Sequence, residues 1–272
     1  MYTEVLFENL NQETNDLLIA NLQEMAEGFE EENHNLKVIF LQEHFNEEAI
    51  AEIASLYQLT YTQKEIAPEN WNAMWESNFS PVIVDDFVGI RADFHEPVTN
   101  VQHEIIITPK MSFGTGHHAT THLMMQQMGK INFRNQSVFD FGTGTGVLAI
   151  LAHKLGAQSV AANDIDDWSI ENARENFERN GIHTIDLFKS DSGAANKNFD
   201  IILANINRNV LLDNMQILSD QLSNGGTLVL SGILEEDISA IVDCSSSNGL
   251  DLREKSAKNN WVCLLFEKTQ FS

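Results

Sequence analysis

Three things are scarce in this chain, and each scarcity narrows what it can be. Cysteine occurs only at Cys244 and Cys263. That is too few for a disulfide framework and lacks metal-site spacing, so two reduced thiols are expected. Cations are outnumbered: 16 Lys and Arg face 40 Asp and Glu, for a formal net charge of −24. With no basic stripe to neutralise phosphates, nucleic acid is a poor partner and a basic protein a better one. An acidic surface can also serve solubility alone. Long apolar runs are missing as well, since none approaches the ~20 residues that span a bilayer. The leading M-Y-T-E-V-L-F-E-N-L carries two Glu and no basic residue, unlike a signal peptide. No internal repeat or low-complexity tract is present. The expectation is a cytoplasmic protein with no membrane attachment.

What is present suits a folded chain with a substantial core. At 272 residues and 43% apolar content, one large domain or two unequal ones fit. The acidity is uneven. Residues 1–70 hold 15 of the 40 acidic residues and only Lys37 and Lys64 as cations, hence −13 there and −11 over the other 202. Residues 2–8 alternate like a strand, and 11–26 carry Leu17, Leu18, Leu22 and Met25 at helical spacing. L-K-V-I-F-L at 36–41 reads as a strand, 46–57 as a helix and 59–66 as a strand. With a weaker strand at 28–32, the order is β-α-β-β-α-β, the split pattern of a small ferredoxin-like α+β domain over residues 1–67.

A connector is expected at 68–97. Trp71, Trp75 and Phe79 fall there at i, i+4, i+8, with Phe87 beyond, a spacing suited to packing between domains. From 98 to 272, strands at 137–141, 159–164, 185–189, 199–205, 226–231 and 261–267 alternate with helices at 146–155, 168–180 and 210–222. This predicts an α/β, Rossmann-like domain: a mostly parallel, doubly wound sheet covered on both faces. The final strand lacks a full crossover helix, which leaves room for an antiparallel strand near the C-terminus.

The stretch 138–166, V-F-D-F-G-T-G-T-G-V-L-A-I-L-A-H-K-L-G-A-Q-S-V-A-A-N-D-I-D, carries the chemistry. It reads strand, glycine turn, helix, strand, acid, a unit that binds the adenosine half of a cofactor. Gly142, Gly144 and Gly146 let the backbone turn tightly and approach a ligand closely. Asp164, 22 positions after Gly142, stands where a carboxylate can accept hydrogen bonds from both ribose hydroxyls. A dinucleotide loop wants G-x-G-x-x-G, but here the third glycine is Gly146 and Val147 follows it. Asp140 precedes the loop. Its carboxylate would repel a pyrophosphate and attract the ammonium and sulfonium of a methionine-like tail. The expected cofactor is therefore S-adenosylmethionine rather than a nicotinamide dinucleotide.

Ligands of such a sheet bind beyond the carboxyl ends of its strands, where loops 142–146, 164–166 and 204–207 fall. The third, L-A-N-I-N, follows the apolar strand F-D-I-I-L. Asn205 ends that strand, where its amide can reach the methionine part of the cofactor or an incoming nucleophile. Alternatively, it caps the following helix. Asn205-Ile206-Asn207-Arg208 is not the N-P-P-Y common among enzymes that methylate glutamine or adenine amides. A fourth segment, T-P-K-M-S-F-G-T-G-H-H-A-T-T-H at 108–122, has flexible Gly114 and Gly116 ahead of a helix starting at Thr120. It could fold over a cofactor as a lid. His118 and His122 share a helix face beside His117, but no Glu or Cys joins them at motif spacing, so no metal is expected.

Together these segments resemble the ribosomal protein L-eleven methyltransferase family, whose members trimethylate amino groups of one large-subunit ribosomal protein with S-adenosylmethionine. The marks are F-G-T-G-H-H-A-T-T (113–121), D-F-G-T-G-T-G-V-L-A-I (140–150), N-D-I-D (163–166), A-N-I (204–206) and S-G-I-L (231–234). The likeness covers nearly the whole chain. It implies that ribosomal protein L-eleven is the partner, methylated at lysine ε-amines or its N-terminal α-amine, and that the small leading domain recognises it. Carried over residue by residue, it implies cofactor contacts at Thr121, Gly142, Asp164 and Asn205. Phe113 and Gly144 lie in the same motifs and Asp140 at the strand end, and Asn205 is the candidate catalytic residue.

There are departures. The usual G-T-G-T-H-P-T-T has His117 and Ala119 here, Thr143 and Thr145 replace common Cys and Ser, and T-P-K-M stands where D-P-G is usual. Two other readings compete. One is a small-molecule methyltransferase of the same fold with a dimerising leading domain, and the other a catalytically silent cofactor-binding module that docks on ribosomal proteins.

Overall fold

The structure, a computed structural model, describes residues 2–23, 25–32, 34–66, 79–110, 114–195 and 197–269. The chain divides into two compact units, Met1–Ser77 and Asn78–Ser272.

The first unit runs β1 (Tyr2–Phe7), α1 (Gln12–Leu22), β2 (Gly28–Glu32), β3 (Asn35–Leu41), α2 (Glu47–Leu56) and β4 (Tyr61–Ile66). Its sheet is ordered β2-β3-β1-β4 with every pair antiparallel, the ferredoxin-like arrangement. Alternation sets the core: Val5 and Phe7 of β1 and Leu36, Val38 and Phe40 of β3 are buried, as are Leu18, Ile19 and Leu22 of α1 and Ile50 of α2. Asn11 and Asn46 start the two helices by accepting hydrogen bonds from Thr14 N and Ala49 N. Strand β2, G-F-E-E-E, pairs only with β3. An edge position with one glycine and three glutamates explains its faint signal in the sequence.

The second unit opens with a three-stranded sheet, β5 (Val82–Val84), β6 (Val88–Ala92) and β7 (His103–Ile107), with β5/β6 antiparallel and β6/β7 parallel. These strands differ from the sequence expectation, since β5 and β6 occupy the stretch read as a connector. They are only three and five residues long, too short to announce a period. The connector aromatics Trp71 and Trp75 lie outside the described residues. Phe79 is buried against His95 and His117, at ring-centre distances of 5.8 and 5.0 Å.

Then follow α3 (Ala119–Met128), β8 (Ser137–Phe141), α4 (Val147–Lys154), β9 (Ser159–Asp164), α5 (Asp167–Arg179), β10 (Asp186–Lys189), β11 (Phe199–Asn205), α6 (Arg208–Gln221), β12 (Leu222–Leu234), a 3-10 turn (Glu235–Asp237), α7 (Ile238–Ser247), β13 (Leu250–Lys258) and β14 (Trp261–Lys268). The seven-stranded sheet is ordered β10-β9-β8-β11-β12-β14-β13. Its first five strands are parallel, and β14 runs antiparallel to both β12 and β13. This is the Rossmann-like fold, with an antiparallel strand inserted near the C-terminus.

Order reverses between β8 and β11, so the crevice of a doubly wound sheet opens there. Strand β8 (S-V-F-D-F) is central and covered on both faces, hence its nearly continuous apolar run. Phe139 stacks on Phe199 at 5.1 Å and on Phe188 at 6.2 Å, beside Leu211, Met215 and Leu218 of α6. Strand β13 was not evident from sequence because it forms the sheet edge and reads L-D-L-R-E-K-S-A-K, with most side chains exposed. Helix α7 was hidden by its serines, which favour helix ends over interiors.

Candidate active site

Four chain segments meet at the carboxyl edge of the large sheet. The loop after β8 holds Gly142, Gly144 and Gly146 at φ of 72°, 53° and 81°, a region that only glycine enters without strain. Space is as demanding as conformation. A Cβ on Gly146 would lie 2.5 Å from Phe177 of α5, and one on Gly142 would lie 2.9 Å from Ile206. The loop is therefore wedged between α5 and the loop after β11.

Polar groups pin it from below. Thr143 N donates to Asn163 O at 2.8 Å, and Gly144 N donates to Asp164 Oδ2 at 2.8 Å. Asp164 Oδ1 accepts from Asp166 N at 3.1 Å. Asp166 is also the N-cap of α5, accepting from Trp168 N. Burial raises the Asp164 pKa, offset in part by the Gly144 and Asp166 amides. Asp164 thus stands at the end of β9 with its carboxylate turned to the glycine loop.

Asp140 lies deeper. It is 1% exposed, and its Oδ2 accepts from the Thr143 hydroxyl at 2.6 Å and from Ala149 N at 3.1 Å. Its Oδ1 has no hydrogen-bond partner among the described residues. Burial pushes its pKa up to about 7 against the pull of those two donors, with Asp164 adding a like charge.

Across the switch point, Asn205 ends β11. Its Nδ2 donates to Thr121 Oγ1 at 3.3 Å, while its buried Oδ1 has no partner among the described residues. The helix cap that Asn205 could have supplied belongs to Asn207, whose side chain accepts from Val210 N at 3.0 Å. Thr121 is fully buried in the first turn of α3, which brings the segment after the lid against the end of β11. Gly232 completes this wall. At φ 86° it approaches Ile206 so closely that a Cβ would meet the Ile206 carbonyl oxygen at 2.4 Å.

The candidate residues named from sequence fall into two sets. Asp140, Gly142, Gly144 and Asp164 gather around the glycine loop, and Thr121 and Asn205 meet each other beyond β11. Phe113 lies outside the described residues. The three histidines go separate ways. His117 packs edge-on to Phe79. His118 caps α3 and packs against Trp261 at 4.6 Å, with burial lowering its pKa to about 4. His122 sits on the first turns of α3, its pKa lowered by burial and by Lys258. Among the described residues, no three His, Cys, Asp or Glu side chains gather as a metal site requires.

Two residues that build the site stood in family-like motifs, N-D-I-D and S-G-I-L, without a role being legible from the sequence. Asn163 spans to the β10 loop, donating to Ser190 O and Ser192 O at 3.3 and 3.0 Å. Ser231 Oγ ties β12 to Val262 O at 2.7 Å. A lone Asn or Ser has many ordinary roles, and only the chain's return through space assigns these.

The arrangement can be tested against a cationic, adenosine-bearing cofactor. Two carboxylates stand at adjoining strand ends, the loop between them admits backbone approach but no side chain, and a buried amide oxygen lacks a partner. A ribose needs paired acceptors and a sulfonium with an ammonium needs negative charge and bare oxygens, so the donor set fits.

Known proteins agree with this chemistry. The sequence profile of ribosomal protein L11 methyltransferase (PrmA) matches residues 4–269. A ribosomal protein L11 methyltransferase of Porphyromonas gingivalis is 44% identical over 262 residues, covering 92% of this chain and 90% of that one. One from Phocaeicola vulgatus is 36% identical over 276 residues, covering 97% and 98%. Among solved structures, a ribosomal protein L11 methylase from Lactobacillus delbrueckii superposes with a TM-score of 0.66 at 33% identity, over 71% of this chain and all of that one.

Proposed function

We propose, for a chain that belongs to the ribosomal protein L11 methyltransferase family, that it transfers methyl groups from S-adenosylmethionine to amines of ribosomal protein L11. The observation that carries this reading is the meeting at one sheet edge of two residue pairs, Gly144 with Asp164 and Thr121 with Asn205. One pair suits the adenosine end of the cofactor and the other suits the reacting end.

S-adenosylmethionine supplies, when bound, a methyl group already activated by its sulfonium. The chain's own residues then have three tasks. Asp164 would hold the ribose and Gly142 and Gly144 would let the protein backbone approach the cofactor, while Asp140 would supply negative charge beneath the loop. Thr121 and Asn205 orient the acceptor nitrogen for in-line attack, the free Oδ1 of Asn205 accepting an amine hydrogen. Phe113 belongs to the same cofactor-contacting motif.

The remaining task is to secure a neutral amine. A lysine in water, with a pKa near 10.4, is neutral in only about one molecule of ~2500 at pH 7, whereas an α-amine near 7.7–8.0 is far easier. A dry site beside a cation lowers either value. In each round the ammonium would give one proton to water before attack, and the lone pair so freed would form the N–C bond as the cofactor's C–S bond broke.

The first unit is the substrate-recognition domain in this reading. With −13 of the net charge in residues 1–70, it suits a basic ribosomal protein. Among the described residues, no helix is long and apolar enough to cross a membrane, and the cytoplasm, where ribosomal proteins are made, is the proposed location. The test is to incubate the protein with S-adenosylmethionine and unmethylated L11 and record the intact mass of L11. Steps of one methyl each, up to three per amine, are expected. Cofactor binding with no mass change would favour a metabolite methyltransferase or a silent docking module.

A further inference from the structure

Helix α5 is capped by Asp166, two residues after the ribose-side acid, and one of its faces holds the chain at Ile106–Lys110. Trp168, Asn172, Glu175, Asn176 and Arg179 share that face by helical spacing, with Asn180 at its C-cap. Asn180 Oδ1 accepts from Ile106 N at 3.1 Å and its Nδ2 donates to Ile106 O at 2.7 Å. This is the bonding that a neighbouring strand would otherwise give β7. Two residues on, Thr108 N donates to Asn176 Oδ1 at 2.7 Å. Thr108 Oγ1 and Lys110 Nζ each donate to one oxygen of Glu175, at 2.8 and 2.7 Å, and Lys110 lies 5.3 Å from the centre of the Trp168 ring. Burial works against ionisation of Glu175, but hydrogen bonds from Lys110, Thr108 and Arg179 hold its pKa at about 2. The T-P-K-M departure from the family pattern is thereby matched by partners on α5.

The other end of Asn176 points to the glycine loop. Its Nδ2 donates to Thr145 O at 2.8 Å and to Asn172 Oδ1 at 3.2 Å, so this fully buried amide uses both its ends. Thr145, also fully buried, donates its hydroxyl to Gly114 O at 2.7 Å. Gly114 stands at φ 102°, with the Thr145 oxygen 3.0 Å from where a Cβ would be. Thr108 and Gly114 belong to one continuous segment. The contacts Thr108–Asn176–Thr145–Gly114 therefore tie two points of that segment to the cofactor loop.

We propose that Asn176 and Thr145 are positioning residues of the methyltransferase. Asn176 holds the Thr145 carbonyl, and the Thr145 hydroxyl holds Gly114 against the glycine loop, so that residues 114–118 and the loop are ordered together. The proposal rests on the reading that the 142–146 loop binds S-adenosylmethionine, and it deepens that reading by coupling cofactor binding to the order of residues 114–118.

The test uses the full chain with Thr145→Val, which keeps the shape and loses the hydroxyl. Amide hydrogen exchange is followed by mass spectrometry without cofactor, and kinetics are measured with S-adenosylmethionine and L11. Loss of one such hydrogen bond is expected to speed exchange at residues 114–118 about five-fold and to raise KM for S-adenosylmethionine by a similar factor. The kcat should change less than about two-fold. Thr145→Ser, which restores the donor, should restore both. Asn176→Asp keeps the acceptor for Thr108 and loses the donor to Thr145, so exchange should rise at 114–118 while 106–110 stay protected. Parent-like exchange at 114–118 in Thr145→Val, or a serine variant that behaves like valine, would overturn the proposal. A parent protein that shows the expected exchange pattern but binds no S-adenosylmethionine would sink the functional reading and leave the positioning roles standing.

Discussion

The two units are built by different rules. The first has a mainly apolar interior behind alternating strands, with Thr3, Glu4, Asn15 and Asp16 as its buried polar residues, and its left-handed backbone positions are turn residues: Asn9, His34 and Gln58. The second keeps polar residues in its interior, with Asp140, Asn163, Asn172, Asn176, Thr120, Thr121 and Thr145 all essentially buried. Among the described residues, every left-handed glycine also lies there. A sheet with the proposed role of only binding another surface can rely on hydrophobic burial, which is tolerant of detail. A sheet that has to place a cofactor needs backbone held at set angles by directed hydrogen bonds, and each of these is costly to leave unmade.

That contrast can be broken in graded steps. The largest expected effect is Asp164→Ala, which removes the carboxylate that would accept two ribose hydroxyls. Two hydrogen bonds to a charged group correspond to about a thousand-fold loss of S-adenosylmethionine affinity, read by calorimetry, with L11 binding retained. Next comes Gly146→Ala. Its φ of 81° and the 2.5 Å approach to Phe177 should cost about 3 kcal/mol of stability in the second unit, seen as an earlier denaturation transition. A glycine substitution in the first unit, such as Gly28→Ala, should move that transition little.

Asn205→Ala should lower kcat about 100-fold by loosening the acceptor nitrogen, while cofactor affinity changes far less. Full turnover in this variant would remove Asn205 from the reaction.

Acid–base behaviour sharpens the same contrast. Asp140 has a folded pKa raised to about 7 from an ordinary 3.8, so the native state binds more protons than the unfolded one between those values. Its stabilising contribution is complete below pH ~4 and is lost as pH rises through 7. Chemical denaturation should therefore show the parent losing about 2 kcal/mol relative to Asp140→Asn between pH 5 and 8. A cationic cofactor favours the ionised form, so its affinity should rise over the same interval. The smallest effect belongs to the first unit. Raising salt from 0.05 to 0.3 M should increase KM for L11 a few-fold through screening of its acidic surface and leave kcat unchanged.

Legibility in the sequence followed the same divide. The strands and helices of the first unit stood out because one face is buried and the other wet, except at β2, where three glutamates on an edge blurred the pattern. In the second unit the glycine loop, the acids at the ends of β8 and β9, and Asn205 were visible because strand, turn and helix follow each other within a short span. The small sheet formed by β5, β6 and β7 was not visible. Its strands are short, and their partners were not marked by any turn signal. Thr145 was visible only as a departure within the glycine motif and Asn176 had no signal, since the role of either is unmarked until their partners, 31 residues from each of them, are known.

By itself the sequence determined the two fold types, the class of cofactor and the family, because these rest on local order: periodic burial, glycine spacing, and charge at strand ends. The tertiary structure decided which polar groups meet. It gave the helix cap to Asn207 and freed Asn205 for Thr121, set the Asp140 carboxyl in a dry place, and linked Thr108 and Gly114 through Asn176 and Thr145. The physical reason is that a hydrogen bond is decided within a few tenths of an ångström between atoms distant in sequence, whereas periodicity and spacing are properties of neighbours along the chain.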